Sequence, residues 1–164
     1  MRLLDNFYKF NLVTFFMTEL ENECVKHPVD FLGLNPEEFS EKFNSKNSLY
    51  IKSFAYELNR VYKKQAAGDR KRGRLQLSSG LDNLSTAFYM VYLESREKPG
   101  RTRDSIMGLR VKKLAEVFGE TNYFYQRECF KKIGSQNSNS FELVLKAMNK
   151  VCNSCEKYLE NPFE

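Results

Sequence analysis

Apolar residues recur along this chain at steps of three and four, the spacing that lays one side of an α-helix against a core. Leu3, Phe7, Phe10, Val13 or Thr14, Met17 and Leu20 follow it over residues 2–25. His27-Pro28 ends that run, because the residue before a proline avoids the α region. "LNPEEF" then reads as a helix start: Asn35 caps, Pro36 suits the first turn and Glu38 completes a capping box for a short helix over about 36–45. Tyr50, Phe54, Leu58 and Val61 form the stripe of the next helix, capped by Asn47 or Ser48. Lys63 and Lys64 lie near its C-terminus, where cations complement the helix dipole, and Gly68 reads as its stop. "GDRKRGR", 68–74, opens a basic loop expected to extend to residue 80. From Leu81 a helix runs to Lys98, with Leu84, Phe88 and Val91 or Tyr92 on one side, and Pro99-Gly100 stops it. Thr102 opens a helix to Phe118 that Gly119 closes, and Thr121 opens another that Gly134 ends. Asn139, with Glu142 three residues on, caps a last helix to about Glu160.

The pattern predicts an all-α fold, a compact bundle of six or seven helices forming one domain over 1–164. Within it lie an acidic helical part (1–67), the basic loop (68–80) and a second helical part (81–164). Composition agrees. The 14 Phe and 9 Tyr make an aromatic-rich core, while 8 Gly and 4 Pro are too few for a turn-rich β fold. The N-terminal apolar run is interrupted by Asp5 and Lys9 and falls short of the ~20 residues a spanning helix needs. It also lacks a small-residue cleavage site, so neither a membrane segment nor a secretory signal is expected. Cys24, Cys129, Cys152 and Cys155 are too few and too irregular for a disulfide framework. An intracellular, cytoplasmic location follows, at the nucleoid or in the nucleus if DNA is the partner.

Charge changes the picture once it is divided along the chain. Residues 1–58 hold 6 basic and 9 acidic side chains, 59–134 hold 17 and 8, and 135–164 hold 3 and 4. The positive excess is concentrated in the middle, which favours a polyanionic partner.

The same middle part carries "LAEVFGETNYFYQRECFKKIG", residues 114–134. Ala115 stands four residues before Gly119, Leu114 and Phe118 are placed to bury against a following helix, and Tyr125 is placed to answer them. On these residues the stretch resembles the helix-turn-helix superfamily of DNA-binding proteins, with the pair extending over about 103–134. The resemblance implies that Gly119 turns the chain and that Thr121, Asn122, Tyr123, Gln126 and Arg127 face the major groove. Asn and Gln can pair bidentately with adenine, and Arg with guanine. Glu120 and Glu128 stand where such motifs bury aliphatic residues, so either both pair with nearby Lys or Arg or the geometry differs from the motif's. Arg70, Lys71, Arg72, Arg74, Arg101, Arg103, Arg110 and Lys113 are expected to hold phosphates, with Lys131 and Lys132 flanking.

The expected partner is therefore nucleic acid, duplex DNA ahead of RNA, for a DNA-binding regulator or accessory factor. The alternative is a helical protein-interaction module or subunit of a larger assembly, meeting a homodimer mate or another protein. No enzyme is expected: the chain has one His and no Trp, and no P-loop, dinucleotide fingerprint, nucleophile elbow or HExxH. No cofactor is expected either. Cys24 and His27 form a CxxH, and Cys152 and Cys155 a CxxC, which could meet around zinc if the first and last helices touch. The stronger reading makes Cys152 and Cys155 members of the last helix's apolar stripe, with no metal bound.

Overall fold

In a computed structural model of the chain the described residues are 33–46, 48–94, 106–137 and 141–160. The expected helix over 2–25, and with it Cys24 and His27, lies outside them, as do Arg101 and Arg103. The fold is an all-helical bundle. Its described helices are α1 (Pro36–Asn44), α2 (Ser48–Lys71), α3 (Leu75–Glu94), α4 (Ile106–Gly119), α5 (Tyr123–Asn137) and α6 (Phe141–Glu160).

Local chemistry fixes α1 as the sequence predicts. The Asn35 side chain accepts from the Glu38 N–H at 2.8 Å, and the Glu38 carboxylate accepts from the Asn35 N–H at 3.4 Å. Two otherwise orphaned donors are satisfied reciprocally.

The basic loop expected over 68–80 is not a loop. Helix α2 continues through Gly68 to Lys71, and α3 begins at Leu75 rather than Leu81. The stop is Gly73, at φ 76°. Its N–H donates to the Arg70 carbonyl at 3.1 Å, while the Arg74 N–H donates to the Asp69 carbonyl at 2.9 Å. That pair of bonds is a Schellman cap, and it needs the left-handed residue five places after Gly68. Inside the turn the buried Asp69 carboxylate lies 3.5 Å from the Arg74 guanidinium and 3.9 Å from that of Arg72. A mid-helix glycine costs only ~1 kcal/mol. Burying Leu77, Ser78 and Leu81 on α3 outweighs it.

Helices α2 and α3 form an antiparallel hairpin. The Ser78 hydroxyl donates to the Ala66 carbonyl at 2.8 Å, Ser85 and Asn59 exchange bonds of 2.7 and 2.8 Å, and the rings of Tyr56 and Tyr92 lie 4.9 Å apart. Helix α6 runs antiparallel along α3, with Val151 against Gly80, Tyr158 under Arg74 and Phe141 beside Phe88. Helix α4 packs on α2, and α5 packs on α1 and α6. Phe118 of α4 sits at the centre. Its ring lies 5.1 Å from Phe39, 5.5 Å from Phe54 and 5.4 Å from Phe130. Helix α5 also passes its expected stop at Gly134 and reaches Asn137. A Cβ on Gly134 would stand 2.9 Å from the Cβ of Phe141, so that glycine makes room for the start of α6.

Candidate nucleic-acid interface

The turn between α4 and α5 is built from the carbonyl end of α4 outward. A helix leaves its last carbonyls without intrahelical partners. Here the Phe118 carbonyl accepts from the Thr121 N–H at 3.0 Å, the Thr121 hydroxyl at 2.6 Å and the Gln126 amide at 3.0 Å. The Gly119 carbonyl accepts from the Gln65 amide at 2.6 Å. The Asn122 side chain accepts from the Phe124 N–H at 2.9 Å, so Asn122, not Thr121, caps α5.

Gly119 does not turn the chain through a left-handed conformation; among the described glycines only Gly33 and Gly73 have positive φ. Its missing side chain serves close packing instead. A Cβ there would stand 2.3 Å from Cγ1 of Val61 on α2.

These contacts correct the groove-facing assignment. Gln126 is 0% exposed. Its oxygen accepts from the Tyr62 hydroxyl at 2.7 Å, and its amide also donates to the Thr121 carbonyl at 3.1 Å. A glutamine buried and bonded at both ends of its amide cannot reach a base. Thr121 and Asn122 spend their polar groups on the turn, and the Tyr123 hydroxyl donates to Gln65 at 3.0 Å. Arg127 lies over the Phe124 ring at 5.5 Å and 3.5 Å from Glu128. Glu128 is half-exposed and also meets Lys131 at 3.2 Å, so it pairs with cations rather than standing buried and unpaired. Glu120 is exposed rather than buried.

The cations divide between two sides. Tyr62 of α2 and Gln126 of α5 meet in the core, so the outward faces of these helices point away from each other. Lys131 and Lys132 are exposed on the α5 side. Arg110 and Lys113 are half-buried on α4, and the Nε of Arg110 is buried with no hydrogen-bond partner among the described residues. Arg70, Lys71 and Arg72 are exposed at the end of α2, with Arg74 half-buried. Arg70 pairs with Asp82, and Arg74 also lies over Tyr158 at 6.0 Å.

Extension of α2 reveals a row that the loop reading hid. Arg60, Lys63, Lys64, Ala67 and Lys71 are all exposed and fall at helical spacing on the side opposite the buried Leu58, Tyr62 and Ala66. The three-and-four spacing of Arg60, Lys63, Lys64 and Lys71 was present in the sequence. It became a single row only once Gly68 was known to lie inside the helix. Gln65 ties the α4–α5 turn to this same helix, roughly 9 Å along the axis from Lys71 at 1.5 Å per residue.

Among the described cysteines, Cys129 and Cys152 are held in the thiol form. Burial pushes the Cys129 thiol up to about 12, against an opposing hydrogen bond with Tyr125. Burial likewise pushes Cys152 up to about 11, although Arg127 pulls the other way. Cys152 and Cys155 are buried on the inner stripe of α6, and no group of three metal-ligating side chains forms among the described residues. No helix among the described residues is long and apolar enough to cross a membrane. Comparison with protein-family models, curated proteins and solved structures finds no match to this chain.

Proposed function

We propose that this protein binds nucleic acid, as a DNA-binding regulator or accessory factor. The observation that carries the reading is the exposed cation row of α2, Arg60, Lys63, Lys64 and Lys71, continued by Arg72 in the turn. Four cations along about three turns of helix, with Ala67 at the one uncharged level, face away from the core and form a positive strip on a rigid element. Phosphates are its natural counterpart, and their neutralisation releases condensed counterions. The α4–α5 pair contributes scaffold in this reading, since its polar side chains are used inside the turn.

The test is fluorescence anisotropy with a labelled mixed-sequence duplex DNA at roughly 50 and 200 mM salt. Four phosphate contacts give a slope of log K against log salt of about −3.6, so affinity should fall on the order of 100-fold over that range. Absence of binding at the lower salt would overturn the reading.

A second reading is supported by a different face. Tyr89, Met90 and Leu93 are exposed at 41%, 46% and 44% near the C-terminus of α3, a helix with no Lys or Arg. Exposed apolar side chains on adjacent turns suit a protein partner, as an interaction module or subunit of an assembly would have. Sedimentation of the purified chain across a concentration series tests self-association through it.

A further inference from the structure

We infer that the nucleic acid recognised is a duplex, gripped by its phosphates along α2 without base readout. This rests on the nucleic-acid reading above and specifies its partner and its contact residues. Three observations carry it.

First, the cations form a straight row. From Arg60 to Lys71 the rise is roughly 16 Å at 1.5 Å per residue, and a cation stands on three of the four turns. A duplex is a stiff rod carrying one negative charge per roughly 1.7 Å of its axis, so a rigid row of this length meets a dense, fixed array of phosphates. A single strand offers no such fixed array.

Second, single-strand binding depends on open aromatic faces beside the cations, on which bases stack. At the Lys71 end Tyr158 lies under Arg74. At the Arg60 end Tyr56, one turn before Arg60, is half-buried with its ring 4.9 Å from that of Tyr92, and Tyr92 also packs on the exposed Tyr89, so these rings are engaged with one another.

Third, the side chains at the α4–α5 turn expected to read base edges are engaged internally. Gln126 is buried, and Thr121, Asn122 and Tyr123 bond within the turn or to α2. The α2 row itself contains Lys, Arg and Ala, and its charge contacts carry no sequence information. Lys131 and Lys132 are exposed on the face of α5 turned away from Gln126, the residue through which α5 meets α2.

The experiment compares four probes on the full chain: an AT-rich duplex, a GC-rich duplex, one strand of the latter, and a single-stranded RNA of equal length. Lys63→Glu/Lys64→Glu and Lys131→Glu/Lys132→Glu are measured beside the parent, with thermal melting to confirm folding. The two duplexes should bind within about twofold, and both single strands at least tenfold more weakly. Lys63→Glu/Lys64→Glu should weaken both duplexes at least tenfold and flatten the salt slope by about two. Lys131→Glu/Lys132→Glu should change binding less than threefold.

Tighter binding of either single strand, or a tenfold preference between the duplexes, would overturn the inference and leave the nucleic-acid reading standing. So would loss of binding in Lys131→Glu/Lys132→Glu alone, which moves the contact to α5. No binding to any probe overturns the reading itself.

Discussion

Gln126 shows how one side chain changes meaning when its surroundings are known. By spacing it is a base-reading residue; by burial it is a structural bridge between α2, α4 and α5. Its amide satisfies the Tyr62 hydroxyl and two carbonyls of the α4–α5 turn. Removing it leaves the buried Tyr62 phenol and the part-buried Thr121 carbonyl short of partners, while the Phe118 carbonyl keeps its two Thr121 donors; each lost partner is worth about 1–3 kcal/mol. Gln126→Ala should therefore cost on the order of 3 kcal/mol in chemical denaturation, the cavity included. Any effect on nucleic-acid binding should follow from lost folding alone. A variant as stable as the parent would show that the turn does not depend on this bridge. Nothing in the neighbouring residues of the sequence distinguishes a buried glutamine from an exposed one, because its partner Tyr62 is distant along the chain.

At the scale of elements, the glycines carry the main lesson. Gly119 was legible as a boundary but not as a contact, because its neighbour Val61 lies on another helix. A Cβ at 119 would meet the Val61 side chain at 2.3 Å, and a β-branched residue in a helix has little freedom to swing aside. Gly119→Ala should destabilise by about 1–3 kcal/mol despite alanine's better helix propensity. Adding Val61→Ala should recover part of that loss, giving a positive coupling in a double-mutant cycle. Strictly additive effects would mean that the close approach is not the reason for glycine. Gly68 and Gly73 illustrate the reverse difficulty. Both can end a helix, and the choice fell on Gly73 because only its position lets the Arg74 N–H reach Asp69 while the Asp69 carboxylate turns inward.

For the whole molecule, the aromatic-rich core carries a pH dependence. Burial holds Cys129 and Cys152 at about 12 and 11, and raises Tyr62 and Tyr125 well above the usual phenol range. For each group the folded value exceeds the unfolded one, so its stabilisation is complete below the unfolded value. It is lost as pH rises through the folded value. Stability should be level near pH 8 and fall between about 9 and 11. Each thiol removed by Cys→Ala should make that fall shallower by up to about 1.4 kcal/mol per pH unit. Melting curves of the parent and of Cys152→Ala across that window provide the check, and equal slopes would show that Cys152 does not titrate with unfolding.

The sequence by itself determined what depends on neighbours within a few residues. Apolar periodicity gave the all-helical class and the inner faces, including Phe118, Val144 and Cys155, and local capping chemistry fixed the start of α1 at Asn35. The division of charge placed the positive excess in residues 59–134. Only the tertiary structure decided matters that depend on residues far apart. Val61 gave Gly119 its purpose, Tyr62 took Gln126 into the core, and the Asp69–Arg74 turn carried α2 past Gly68. Helix continuation and core pairing then separated the cations into an α2 row and an α5 pair on opposite sides. A list of charges along a chain records their number, but their direction is set by which face each helix must bury.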